Sequence, residues 1–145
     1  MDFFSSLDIS ASALAAERTR MNVISGNLAN ANTTRTAEGG PYKRKDAVFT
    51  TQSVSPSFGS TLSRISASAP SGVQVTQIIE DNSPPKLRYD PNHPDADEQG
   101  NVAMPNVNVM EEMTDMIVAT RAYEANITAA QAAKSMAMKA LELGR

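Results

Sequence analysis

A chain of 145 residues has room for one modest domain. Its net charge is −3 with the signs mixed, which argues against a nucleic-acid binder, whose affinity rests on clustered basic charge. Apolar residues make up 41% and aromatics 5%, with no tryptophan, so burial against other chains is expected rather than a self-contained core.

Cysteine is absent, which excludes a disulfide framework, a zinc–thiolate site and a cysteine nucleophile. No apolar run reaches the roughly 18 residues of a membrane-spanning helix. The opening MDFFSSLDIS lacks the basic and apolar regions of a secretory signal, so any route out of the cytoplasm is expected to do without one.

Residues 5–30 read as a helix. Ser5 or Ser6 is placed to cap it, and Asp8 suits the positive end of its dipole. Leu7, Leu14, Met21 and Leu28 recur every seven residues, flanked by Ala11, Ala15, Ile24 and Ser25, as a narrow stripe of mostly small side chains. The helix ends in SGNLANANT, residues 25–33. Asparagine is a poor interior helix residue, because its amide competes for nearby backbone groups. One reading is a frayed end closed by Asn30 or Asn32 in the left-handed conformation. The other is that Asn27, Asn30 and Asn32 hydrogen-bond to another segment or subunit. Asn27 and Asn30, three apart, share a face.

Residues 33–41 form turns, and Tyr42–Gln52 reads as a strand. Residues 53–71 hold eight serines and two prolines, a composition that fits a flexible segment. Gly72–Glu80 reads as a clearer strand with Val73, Val75 and Ile79 on one face. Leu87 and Tyr89 are expected on its partner, beyond the turn at Ser83-Pro84-Pro85. Residues 90–106, with three prolines and a glycine, read as loop.

From Val107 the periodicity becomes helical. Met113, Met116, Thr120, Tyr123, Ile127, Ala130, Lys134, Ala137 and Leu141 alternate three- and four-residue steps, a coiled-coil-type seam interrupted by Lys134 and widened by Met110 and Ile117. Gly144 stands where a helix should end. The expected fold is mainly α with a small β-rich middle. Its units are an N-terminal helix and Asn-rich cap (1–35), a β and loop segment (36–106) and a C-terminal helix (107–145), the two helices pairing as a coiled-coil-like layer around a β-hairpin or extended segment.

Candidate chemistry is sparse. His93-Pro94-Asp95 matches the J-domain signature for Hsp70-type partners, yet lies in proline-containing loop where that motif needs a helix pair. Asp95-Ala-Asp97-Glu98-Gln-Gly100 resembles the first half of an EF-hand, but the twelfth position is Asn106 in place of the bidentate glutamate. A weak calcium site at Asp95 and Asp97 is the most this allows. Glu111-Glu112 reads as an ordinary helix-surface pair, and no nucleophile elbow or phosphate loop is present. No enzyme, cofactor or resident metal is expected. The alanine- and methionine-rich stripes bury too little alone, so the chain ends are expected to order on association.

SGNLANANT resembles the N-terminal signature of bacterial flagellar rod, hook and hook-associated proteins. GGPYKRKDAVF extends the match, and the stretch from Tyr89, YDPNHPDADEQGNVAMPNVNVMEEMTDMIVATRAYEANITAAQAAKSMAMKALELGR, is similar to the C-type proximal rod proteins. After the asparagines most of the family continues Thr-Pro-Gly-Tyr. Here the chain reads Thr33-Thr34-Arg35 and then Gly39-Gly40-Pro41-Tyr42, like the C-type variant; Asn101 departs from the tyrosine common in this type. The resemblance implies a basal-body subunit that passes unfolded through the type III export apparatus without a cleaved signal. It would assemble in the periplasm with copies of itself and other rod proteins into a hollow torque-bearing tube lined by the terminal helices. It also implies an assembly interface formed by Leu7, Leu14, Met21, Leu28, Asn27, Asn30, Asn32, Met113, Met116, Ile117, Thr120, Tyr123, Ile127, Ala130 and Leu141. The competing reading is a soluble helical adaptor that docks its C-terminal helix in a partner's groove.

Overall fold

Alanine, leucine, methionine and arginine favour helix through residues 11–21, and α1 runs Phe3–Ala29. The structure, a computed structural model, describes residues 3–53 and 71–143. The serine-rich stretch 54–70 and Gly144 lie outside the described residues. α1 starts two residues before the expected 5, so Ser5 and Ser6 sit inside the helix and do not cap it. Its interior hydroxyls bond back along the helix: Ser10 Oγ donates to Ser6 O (3.0 Å) and Ser12 Oγ to Ile9 O (2.7 Å).

The end of α1 corrects the left-handed cap expected at Asn30 or Asn32, since no described residue other than glycine has a positive φ. Asn30 closes the helix by another route. Its Nδ2 donates to Gly26 O (2.9 Å), its backbone N–H reaches the same carbonyl (3.1 Å), and Thr33 N then donates to Asn30 O (3.0 Å).

β1 (Lys45–Ser53) and β2 (Ser71–Glu80) form an antiparallel hairpin, in register from Lys45 opposite Glu80 to Ser53 opposite Ser71. An irregularity between Val48 and Phe49 leaves Thr76 without a partner. That extra residue breaks the alternation expected of Val73, Val75 and Ile79. The two valines are half-buried, while Ile78 and Ile79 beyond the irregularity are exposed.

β3 (Lys86–Tyr89) pairs with β4 (Asn101–Met104) in a separate antiparallel ribbon, Leu87 opposite Ala103 and Tyr89 opposite Asn101. This corrects two expectations: Leu87 and Tyr89 do not pair with β2, and residues 90–106 are not all loop. Four strand residues fit between Gly100 and Pro105, where the surrounding prolines hide them from a composition-based reading. Gly100 has φ 79°, and a Cβ there would stand 3.0 Å from the Tyr89 ring.

α2 spans Val109–Leu143. Asn108 is its N-cap: its Oδ1 accepts from Met110 N (3.2 Å) and its carbonyl from Glu112 N (3.0 Å). The helices pack against each other, with Thr120 Oγ1 3.8 Å from Met21 Sδ, and the hairpin packs on α1. There Val73 N donates to Ser12 Oγ (3.1 Å), and the Arg20 guanidinium lies 5.8 Å from the Phe49 ring centre. α1 is thus the middle layer. Buried apolar side chains among the described residues are mostly alanines, Ala16, Ala31, Ala47, Ala119 and Ala133, with Ile24, Val102, Pro105 and Val107 larger.

Candidate functional site

Buried polar side chains gather where α1 ends, β1 begins and α2 starts. Asn27 is fully buried there. Its Nδ2 donates to Lys45 O (2.8 Å) and to Glu112 Oε2 (3.0 Å). Its Oδ1 accepts from Lys45 N (2.9 Å) and from the Tyr42 hydroxyl (3.1 Å). An asparagine amide has two donors and two lone pairs, and here each has a partner. The side chain completes both backbone groups of Lys45, as a neighbouring strand would.

Glu112 is equally buried, which corrects its reading as half of a surface pair with Glu111. Its Oε1 takes a 2.6 Å ion pair from Arg44 Nε while Oε2 holds Asn27. Arg44 also approaches Asp46 (3.6 Å) and Asp115 (3.8 Å). Burial alone would lower the Arg44 pKa. The hydrogen bond that Arg44 donates to Glu112, with the charges of Glu112, Asp46 and Asp115, outweighs that and holds it above its ordinary value. Burial raises the Tyr42 pKa, Lys45 offsets part of the rise, and Glu112 and Glu80 add to it.

Asn106 extends the junction. Its Oδ1 accepts from Arg44 N (2.8 Å) and its Nδ2 donates to Asp81 O (3.0 Å), tying the root of the hairpin to the segment leading into α2. Asp81 N in turn donates to Arg44 O (2.8 Å). Five polar side chains therefore join four stretches separate in sequence. A buried carboxylate is tolerable only with this degree of pairing.

The other residues expected at an interface are distributed unevenly. Leu7, Leu14 and Met21 on α1, and Met116, Thr120, Tyr123, Ile127 and Ala130 on α2, are half-buried within one chain. Leu28 is 37% exposed, Met113 48%, Ile117 62% and Leu141 76%. Asn30 caps α1 and Asn32 is exposed. The buried α2 residues among those described are Glu112, Ala119 and Ala133, and Lys134 stands exposed. Glu112, Arg44, Tyr42 and Asn106 carry the junction without having been singled out by the sequence. Asn108 followed by Glu111 was a legible capping signal.

The loop acids are engaged within the chain. Asp97 Oδ1 accepts from Gln99 N (2.9 Å) and Asn101 N (2.8 Å), and Asp95 takes Thr34 Oγ1 (2.8 Å) and lies 3.9 Å from Arg35. His93 Nδ1 accepts from Asp95 N (3.1 Å). Among the described residues no group of three metal-ligating side chains is placed to hold an ion. No helix among them is long and apolar enough to cross a membrane.

The two ends that meet at this junction are also the ends that known proteins match. The family described as "Flagella basal body rod protein" matches residues 7–35, and that described as "Flagellar basal body rod FlgEFG protein C-terminal" matches residues 98–143. Paired terminal helices around a β-rich middle thus define the class of flagellar basal-body rod proteins. The chain is 50% identical to the flagellar basal-body rod protein FlgC of Bacillus subtilis, covering 100% of each. It is 44% identical to that of Borreliella burgdorferi, over 99% of this chain and 98% of the other, and 41% identical to that of Salmonella typhimurium, over 95% of each. The chain belongs to the FlgC family of flagellar basal-body rod proteins, which is a structural family and not an enzyme family.

Proposed function

We propose that this chain is a structural subunit of the proximal rod of the bacterial flagellum. It assembles with copies of itself and with other rod proteins into a hollow helical shaft that carries motor torque. It crosses to the periplasm through the type III export apparatus without a cleaved signal, and performs no catalysis. Nucleic acid is not a partner, in keeping with the interspersed charges and the net −3.

The observation that carries this reading, beside the full-length similarity, is the state of α2. Met110, Met113, Ile117, Met136, Met138, Leu141 and Leu143 are all exposed on one 35-residue helix. Large apolar side chains in such number on one element mark a surface awaiting other chains. Methionine suits that task, since its flexible thioether adapts to contacts on several sides. Torque transmission further requires each subunit to be held at more than one radius. Two long helices and a hairpin on their outside offer that.

Leu14→Asp places a charge on the half-buried stripe of α1. The expected result is normal expression with loss of rod assembly and of motility. Normal swimming in that strain contradicts the assignment. A discrete, saturable complex with a single soluble protein, in place of incorporation into basal bodies, would favour an adaptor instead.

A further inference from the structure

α1 carries two acidic side chains that differ in their surroundings: Asp8 is exposed, whereas Glu17 is half-buried. Glu17 lies three residues after Leu14 and four before Met21, beside the stripe whose Met21 sulfur approaches α2. Its Oε2 is buried and has no hydrogen-bond partner among the described residues. No ion pair among those residues includes Glu17 either. The basic residues nearest in sequence do not answer it: Arg20 is turned to the Phe49 ring and Arg18 is exposed. This contrasts with Glu112, whose two oxygens are both engaged. An acceptor removed from water with no donor is costly, and folded proteins rarely leave one so.

We infer that Glu17 is an intersubunit docking point, its carboxylate receiving a basic side chain from a neighbouring copy of this chain. The inference rests on the assembly reading above. Charge complementarity supports a second copy as the donor. Lys134 and Lys139 stand exposed on α2 with no ion pair among the described residues, while Arg121 is already held 2.9 Å from Glu124. A carboxylate with one oxygen unsatisfied in the free subunit and satisfied in the polymer favours assembly twice over. It weakens the unassembled state slightly, and it strengthens the joint with a charge-assisted bond of defined direction.

The test separates those two effects. Glu17→Gln removes the charge and keeps the shape. In the purified chain the melting temperature should stay unchanged or rise, because the unpaired charge is gone. In cells, incorporation into isolated basal bodies should fall about tenfold or more, the loss expected when one partner of a desolvated pair is removed. Glu17→Lys should abolish incorporation, and Lys134→Glu or Lys139→Glu in the same chain should restore it. A lowered melting temperature for E17Q means the carboxylate serves its own chain and overturns the inference. So does wild-type incorporation of E17Q, or failure of both charge reversals to rescue. A deletion strain that still builds complete basal bodies counts instead against the rod reading itself.

Discussion

Truncating Asn27 is the most direct test of what holds the fold together. Asn27→Ala removes the partners of Lys45 N–H, Lys45 C=O, the Tyr42 hydroxyl and Glu112 Oε2 at a fully buried site. Neutral hydrogen bonds contribute about 1 kcal/mol each, and those to charged groups about 1.5–3 kcal/mol. Water entering the vacated space recovers part of this, leaving a loss of about 3 kcal/mol. With a urea slope near 1.5 kcal/mol per molar, the unfolding midpoint should fall by about 2 M. Asn30→Ala is the control: half-exposed, it gives up a bond to Gly26 O and one from the Thr33 hydroxyl, neither at a fully buried site, and should lower the midpoint by no more than about 1 M. Asn27→Asp sharpens the test, since it sets a second carboxylate against Glu112 and loses both donors. Crowding raises the pKa of the introduced acid, so this variant alone should gain stability as pH falls from neutrality. A midpoint for Asn27→Ala within about 0.5 M of wild type, or a larger effect at Asn30, would refute the account of the junction.

Three further outcomes follow from the same geometry. The Tyr42 pKa is raised by burial, so the neutral phenol contributes stability that is complete below the ordinary tyrosine value and is lost as pH rises through the folded one. Ultraviolet titration should show one tyrosine ionising late, and Tyr42→Phe should remove that step. Gly100→Ala combines a φ of 79° with Cβ contacts of 3.0 and 3.2 Å to Tyr89 and Pro91, and should cost about 1–3 kcal/mol in urea unfolding. Gly39→Ala has φ 89° but nothing within 4 Å of its Cβ, and should cost less. Amide exchange in the free chain should be slowest near Ile24, Asn27, Lys45, Val102 and Glu112, and should quicken toward residue 3 and residue 143, where large side chains are exposed.

The two helices were legible because 27 and 35 residues of consistent periodicity outweigh local exceptions. β1 and β2 were legible from β-branched content, but their pairing was not, because pairing depends on where the intervening segment returns. Asn27 drew attention as a residue out of place in a helix, and its burial gives the reason. Its partners did not stand out. Arg44 sits in a basic run and Glu112 beside another glutamate, both of which read as solvated surface. Only the meeting of segments 85 residues apart in sequence, Asn27 with Glu112, turns them into an ion-paired core. Periodicity drew the α2 line through Met116, Thr120, Tyr123, Ile127 and Ala130, which are half-buried, but passed over Ala119 and Ala133, which are buried, since alanine counts weakly in a hydrophobic pattern.

That division of labour has a mechanical consequence. Alanines let two helices approach closely but give shallow knobs, so sliding one helix along the other by a turn, about 5.4 Å, forfeits little apolar contact. The junction supplies what the seam lacks. The same slide would carry Glu112 away from Asn27 and from Arg44 together, leaving a buried carboxylate short of both its donors. Polar groups at one end therefore fix the axial register of both helices, while Met113, Ile117 and Leu141 of α2 stay exposed. In a shaft under twist the shear acts along such seams. A subunit whose register is set by directional bonds inside the chain transmits that load without first slipping within itself.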